Sequence, residues 1–231
     1  MNEGMFQMVI NIQLRGFLNE LKGPNFEKNI PYMYVDTTGN VTVGIGHNLT
    51  SHGDYQTLDF MVKRLTRKAV IGGDMGIPIT IPMTIGRAAT EAEKKNDYEF
   101  LMKHTGLGKF AAEQLADYTT LELKSESIDQ IFEKDLQDAI SIVQAAFGFV
   151  DKYPISCQAA LIDIAFNCGG FTKFPTLTKA VNGLGIYAGE PWSERWKAAA
   201  SHSNRFQVDQ ARNKRIAQWF MHGATEITPT S

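Results

Sequence analysis

The chain has 231 residues, of which 43% are hydrophobic and 21% are charged. This composition is typical of a globular protein and excludes a disordered chain, a collagen and a coiled-coil rod. The 23 Lys and Arg against 25 Asp and Glu give a formal net charge of −2. We expect no nucleic-acid partner, because binding nucleic acid usually needs a surplus of basic residues.

The sequence also shows no pattern typical of a membrane span or a secretory signal. No run of apolar residues is long enough to predict a membrane span. The first residues, MNEGMFQMVINIQLRGFL, lack the basic start, continuous apolar core and cleavage site of a secretory signal. We therefore expect synthesis in the cytoplasm without a signal peptide.

The first predicted elements are a helix and a hairpin. Apolar residues at helical spacing predict a helix over 5–22, which ends at a Gly-Pro pair. The period then changes to two and predicts strands over 32–35 and 41–45, joined by a turn at 36–39. Alternate residues of the second strand form an apolar face, whereas the opposite face consists of one threonine and two glycines. That nearly bare face suits the close approach of a ligand or of another segment.

The middle of the chain has the weakest pattern. The Gly- and Pro-rich stretch at 71–88 predicts an extended loop or a small hairpin, and the alternating apolar residues at 77–85 are typical of a half-buried strand. Thr90 and Glu93 have the spacing of a capping box, which predicts a helix from Thr90 to about residue 104.

From residue 125 onward the apolar spacing is helical. The segment 156–167 is apolar nearly all round, which indicates a buried central helix. Further helices are predicted over 174–182, 192–200 and 210–220. The fold class is therefore α+β, mostly α, with one small hairpin near the N-terminus.

The two cysteines do not predict a disulfide or a metal site. Cys157 and Cys168 fall in one predicted helix, where eleven residues span roughly 16 Å, too far for a disulfide. Neither belongs to a CxxC motif or lies near a pair of histidines, so we expect no bound metal.

Three polar residues around the hairpin suggest chemistry on a sugar bond. Glu27 precedes the first strand, Asp36 begins the turn, and Thr42 lies on the glycine-rich face. Glycoside hydrolysis needs one carboxyl group to protonate the leaving oxygen and a second to position water or to attack. The residue types alone are weak evidence, because Asp is common in turns and Thr is common in strands.

The spacing of these residues makes the pattern specific. In FEKNIPYMYVDTTGNVTVGIGHNLT an Asp follows Glu27 after nine positions, a Thr follows after six more, and Gly44-Ile45-Gly46-His47 comes next. This segment closely resembles the active-site hairpin of the phage-type lysozymes, the muramidases of glycoside hydrolase family 24.

The resemblance continues more faintly in the helical part. The segment 159–171 is similar to the family's central helix, which places Phe166 and Asn167 in cleft-lining positions. The segment 174–182 is similar to the next helix and places Thr176 near the sugar-binding rim. The segment 211–220 is similar to the family's last basic helix and places Arg212 where an arginine pairs with the catalytic Glu.

The resemblance implies a lysozyme-like fold for the whole chain, 1–231, with a small hairpin lobe and a larger helical lobe. Residues 51–124 are longer than compact members require and are expected to be an insertion. The mildly acidic charge is a second departure, since many lysozymes that degrade walls are basic.

The implied activity is hydrolysis of the β-1,4 bond between N-acetylmuramic acid and N-acetylglucosamine in peptidoglycan. Glu27 would be the general acid, while Asp36 and Thr42 would position water, without metal or cofactor. Phe166, Asn167, Thr176 and Arg212 would contact the glycan or organise the cleft. The alternatives are a lytic transglycosylase, a chitinase-like glycosidase, or a wall-binding module without activity.

The setting follows from the substrate and from the expected absence of a leader. The protein would act on the wall in the periplasm after release through a pore, as an endolysin, or after delivery by a secretion system, as an antibacterial toxin or effector. A toxin would imply an immunity protein as a further partner beside the peptidoglycan strands.

Overall fold

The structure is a computed structural model that describes residues 12–20, 28–63, 66–71, 77–82, 86–148, 150–205 and 208–226, with only the backbone at 12–13, 66–71 and 77–82. The fold is mixed α+β and mostly helical, which confirms the predicted class. Two compact units are present. The hairpin unit is Asn29–Phe132, and the helical unit combines Met1–Lys28 with Glu133–Ser231. Among the described helices, none has the length and apolar character needed to cross a membrane.

The described strands are β1 Ile30–Val35, β2 Val41–Gly44, β3 His47–Asn48, β4 Phe60–Val62, β5 Thr66–Ile71, β6 Ile77–Pro82 and β7 Leu121–Leu123. The described α-helices are α1 Ile12–Asn19, α2 Leu49–His52, α3 Glu91–Lys103, α4 Ser125–Phe147, α5 Ile155–Cys168, α6 Pro175–Asn182, α7 Trp192–Ser201 and α8 Gln210–Thr225. The predicted hairpin and the helices predicted after residue 90 are thus confirmed. The helix predicted over 5–22 is confirmed at Ile12–Asn19, and most of its remainder lies outside the described residues.

The N-terminal sheet of the hairpin unit has the antiparallel order β1-β2-β3. Its register places Tyr34 opposite Thr42 and Val35 opposite Val41, so the turn begins at Asp36 as predicted. All four residues of β2 are buried. Burial on both faces shows that the sheet is packed on its glycine side as well as on its valine side.

The segment 51–124 supplies much of the core of this unit. Strand β4 pairs with β7, with Phe60 opposite Leu123 and Val62 opposite Leu121, and all four side chains are buried. Helix α3 begins with the predicted capping box: Thr90 Oγ1 accepts a bond from Glu93 N, and the Glu93 carboxylate accepts from Thr90 N. Most of this segment is therefore packed structure rather than a loop.

Of the extended loop or small hairpin predicted at 71–88, the structure has the hairpin, but it begins earlier and its strands lie at 66–71 and 77–82. Strands β5 and β6 form an antiparallel pair that is a separate two-stranded sheet. Residues 72–76 and 83–85 lie outside the described part of the chain.

The helical unit is built around α5. Ten consecutive residues, 156–165, are buried, as the nearly all-round apolar sequence predicts. Helix α8 packs against α5 at Gly223, where an added Cβ would collide with the Cys157 sulfur. Both cysteines are free thiols, as predicted, with Cys157 buried and Cys168 partly exposed.

Candidate functional site

The Asp36 carboxylate is held in place by its own turn. Its Oδ1 accepts bonds from Thr38 N at 2.8 Å, Thr38 Oγ1 at 2.7 Å and Asn40 N at 2.9 Å. Its Oδ2 accepts a longer bond of 3.4 Å from Asn40 Nδ2. An Asp that bonds the backbone ahead of it is typical of a tight turn. The side chain is half-buried. Oδ1 fixes its orientation through three bonds, whereas Oδ2 accepts only the one long bond.

Thr42 has a different environment on the neighbouring strand. The residue is 3% exposed, and its Oγ1 has no hydrogen-bond partner among the described residues. Leaving a buried hydroxyl without a partner costs roughly 1–3 kcal/mol, so such groups are rare in native proteins. The Thr42 hydroxyl therefore makes no hydrogen bond to the described part of the fold.

The glycine face of β2 is approached by another segment at Gly44. This residue has φ 64°, and a Cβ added to it would lie 3.2 Å from the Ile128 side chain of α4. Of the two uses expected for a bare face, the structure shows packing of another segment at this position.

Polar contacts fix the end of the sheet that follows the glycines. His47 is buried and donates from Nε2 to Asp54 Oδ1 at 3.1 Å. Thr50 Oγ1 accepts a bond of 2.9 Å from Val41 N and ties α2 to β2. These contacts agree with a scaffold role for the histidine of the Gly-Ile-Gly-His motif.

A 3₁₀ turn, Thr105–Lys109, covers the backbone of the Asp36 turn. Gly108 is buried there, and a Cβ added to it would overlap the Asp36 carbonyl oxygen and lie 3.3 Å from Val35 Cγ1. Glycine is required for this contact, since any side chain would push the two backbones apart. The position of Asp36 thus depends on a residue more than 70 positions later in the chain.

Arg212 belongs to a buried ionic cluster in the helical unit. Its Nη2 donates to Asp163 Oδ1 at 2.6 Å and its Nε donates to the same oxygen at 3.1 Å. Arg205 Nη1 donates to Asp163 Oδ2, also at 2.6 Å. The Asp163 side chain is fully buried and the two arginine side chains are 1% and 4% exposed.

Asn213 completes the cluster by bonding Arg205. Its Oδ1 accepts from Arg205 N and Nε, and its Nδ2 donates to Arg205 O. Asp163 and Arg205 were not among the predicted site residues. The available signal was the single charged residue in the otherwise apolar helix 156–167, because a buried charge requires a partner.

The other predicted glycan-contacting residues are at the ends of neighbouring helices. Phe166 and Asn167 lie in the last turn of α5 and are partly exposed and exposed, respectively. Asn167 follows Asp163 by four residues, so it shares the helix face that Arg212 contacts. Thr176 lies in the first turn of α6 and is partly exposed.

Glu27, the predicted general acid, lies outside the described residues. The structure therefore brings together Asp36 and Thr42 in one hairpin, and Arg212, Asn167 and Phe166 near one end of α5, each within its own unit.

A separate open groove of about 570 Å³ lies between α7 and α8, with Ser203, Asn204 and Lys214 in its lining. None of the predicted site residues lines it. Its mixture of small and polar residues suggests no particular reaction, so the hairpin remains the stronger candidate.

Comparison with known proteins returned no match to a family model, a curated protein or a solved structure.

Proposed function

We propose that the protein is a peptidoglycan hydrolase that cleaves the β-1,4 bond between N-acetylmuramic acid and N-acetylglucosamine. The observation that supports this most is that one hairpin holds both an anchored carboxylate, Asp36, and the buried hydroxyl of Thr42, which has no hydrogen-bond partner among the described residues. The spacing of Glu27 before them, and the family that this spacing resembles, supply the substrate.

In this mechanism Glu27 protonates the glycosidic oxygen as the bond breaks. Asp36 stabilises the positive charge that develops on the sugar ring and orients a water molecule, which Thr42 holds on the opposite face. Water then attacks the anomeric carbon directly, the configuration inverts and no covalent intermediate forms. The proposal needs no metal or cofactor.

Arg212 bears on whether Glu27, the proposed general acid, is protonated. A cation beside Glu27 would favour its ionised form, whereas a general acid must be protonated. The short bonds between Arg212 and Asp163 already pair that cation with a carboxylate. We therefore expect activity to be highest at mildly acidic to neutral pH, and a rate still rising above about pH 9 would contradict this.

The decisive experiment uses Thr42→Val, which replaces the hydroxyl with a methyl group of similar size. If the hydroxyl serves only catalysis, the variant loses roughly 10²- to 10⁴-fold in activity on purified peptidoglycan. Its stability should stay equal or rise, because the hydroxyl that is removed has no hydrogen-bond partner among the described residues. A destabilised variant with wild-type specific activity would assign the hydroxyl a structural role.

Thr50→Val is the matched control, because it removes a hydroxyl that accepts a bond from Val41 N. It should lower stability by about 1 kcal/mol and retain most activity. Glu27→Gln keeps the shape of the acid and removes its proton, so it should abolish lysis without unfolding the protein. More than a tenth of wild-type activity in that variant would refute the acid assignment.

Product analysis separates the alternatives. Hydrolysis leaves a reducing sugar, whereas a lytic transglycosylase leaves an anhydro-muramoyl end. Chitin oligomers cleaved in preference to peptidoglycan would indicate a chitinase-like enzyme. Binding to the wall without any released product would indicate a non-catalytic module.

The proposed site of action is the cell wall on its periplasmic side. Expression with an added export signal should lyse bacterial cells. An endolysin and a secreted toxin both fit this result. Protection of the cells by a co-produced immunity protein that binds the enzyme would favour the toxin.

A further inference from the structure

The two carboxylate oxygens of Asp36 have unequal partners. An ionised carboxylate offers about two lone-pair positions on each oxygen to hydrogen-bond donors. Oδ1 accepts from Thr38 N, Thr38 Oγ1 and Asn40 N, each within 2.9 Å. Oδ2 accepts from one donor among the described residues, Asn40 Nδ2 at 3.4 Å. The turn therefore uses Oδ1 fully, and Oδ2 is the oxygen that retains room for a further donor.

The side chains of Thr38 and Asn40 also bond each other. Thr38 Oγ1 donates its single proton to Asp36 Oδ1, so it is the acceptor in its bond of 2.6 Å with Asn40 Nδ2. The Asn40 amide then uses one proton for Thr38 and has its second proton for Asp36 Oδ2. The three side chains form a closed ring of hydrogen bonds, in which the orientation of each depends on the other two.

The backbone of the turn is held by separate contacts. Asp36 N donates to Asn40 O at 2.8 Å, and Gly39 N donates to Asp36 O at 3.0 Å. Val35 and Val41 pair directly outside these residues. These contacts close the turn without the side chains of the ring. What the ring adds is the orientation of the Asp36 carboxylate.

We propose that Thr38 and Asn40 are positioning residues of the hydrolase, which hold Asp36 so that Oδ2, and not Oδ1, accepts the hydrogen bond of the attacking water. This assignment rests on the proposed function, in which Asp36 orients that water. Orientation matters because a displacement of about 1 Å at a reacting group can cost roughly 10²-fold in rate. Neither residue contacts the substrate, since both act through Asp36.

The test compares neighbouring threonines of the turn, with soluble peptidoglycan strands as the substrate. Thr38→Val removes the hydroxyl of the ring and should lower kcat roughly 10- to 100-fold at an unchanged KM. Thr37→Val is the matched control, because it removes the adjacent exposed hydroxyl, which takes no part in the ring. It should keep the wild-type kcat. Thr38→Ser restores the hydroxyl and should recover the activity that Thr38→Val loses.

A double-mutant cycle shows whether Asn40 acts through Asp36. Asn40→Leu keeps a similar size, removes the amide protons and should lower kcat to a similar extent. In an Asp36→Asn background the same substitution should cause no further loss, because the group that it positions is already inactive. A substitution that only weakened the turn would add its own loss to that of Asp36→Asn.

Crystal structures of Thr38→Val and Asn40→Leu supply a readout that needs no activity. Both should show the Asp36 carboxylate rotated from its wild-type orientation, with the backbone of the turn unchanged. An unmoved carboxylate in these structures would overturn the positioning role.

The kinetic outcomes separate this assignment from the proposed function. If the wild type hydrolyses the strands, wild-type kcat in Thr38→Val or Asn40→Leu would overturn the positioning role alone. An equal loss in Thr37→Val, or a loss that appears only as a lower melting temperature, would show that the ring has a structural role instead. A wild-type protein that releases no reducing sugar would remove the proposed function itself, and this assignment with it.

Discussion

Asp163→Asn is predicted to be among the most destabilising single substitutions in the helical unit. The carboxylate accepts bonds from Arg205 at 2.6 Å and from Arg212 at 2.6 Å and 3.1 Å, and it is fully buried. Asparagine keeps one acceptor oxygen and loses the negative charge, so two buried arginines remain beside a neutral side chain. Breaking a buried pair in this way costs about 3–5 kcal/mol.

The control lies in the same unit. Arg15 and Glu133 form an ion pair at 2.9 Å, with side chains 39% and 40% exposed. Glu133→Gln should cost less than about 1 kcal/mol, because solvent screens an exposed pair and its side chains retain mobility. The two substitutions remove the same charge over similar distances, so the difference between them measures the effect of burial.

Urea denaturation of both variants provides the measurement. The midpoint for Asp163→Asn should fall strongly at an unchanged denaturant dependence, which keeps the comparison two-state. In thermal melts the shift should be on the order of 10 °C for a chain of this length. Equal losses in the two variants, or a loss below about 1 kcal/mol for Asp163→Asn, would refute the reasoning.

Three further predictions follow from local geometry. Gly108→Ala should lower both stability and activity by displacing the Asp36 turn. Gly106→Ala should do neither, since apart from its chain neighbours no described residue lies within 4 Å of the added Cβ. Bonds from Arg87 and from the Thr90 cap lower the pKa of Glu93 to about 2. The ionised Glu93 carboxylate therefore stabilises the fold fully above the ordinary Glu pKa, and this stabilisation is lost as the pH falls through about 2. Thr90→Ala should raise the pKa of Glu93 in an NMR titration. A thiol reagent should modify one cysteine, Cys168, in the folded protein, faster at alkaline pH because burial raises its pKa.

Local pattern was sufficient to predict the regular elements. The alternation at 41–45 and the turn residues before it determine the β1–β2 hairpin, because one strand face is core and a turn at 36–39 sets the register. The Thr90 cap specifies the start of α3 from two side chains. The mainly apolar sequence at 156–167 predicted a buried helix, and the structure buries residues 156–165 of α5.

Several short elements between α2 and α4 could not be predicted from such patterns. Strands β4 and β7 have three residues each and are nearly 60 residues apart in sequence. A three-residue strand contains too few alternations to be recognised, and its pairing is a tertiary contact with no local signal. The 3₁₀ turns at Thr105–Lys109 and Ala112–Tyr118 have no strong periodicity for the same reason.

In the candidate site, too, features that depend on local sequence were predictable and contacts between distant residues were not. The spacing of Asp36 and Thr42 is local, so sequence sufficed to place them in one hairpin. The partners of Asp163 lie 42 and 49 residues away, and the glycine that approaches Asp36 belongs to another element. Periodicity predicts which face of a helix or strand is buried, but it does not predict which residues pack against that face. Residues that support a site from distant elements, such as Asp163 and Gly108, therefore become visible only once the chain is folded.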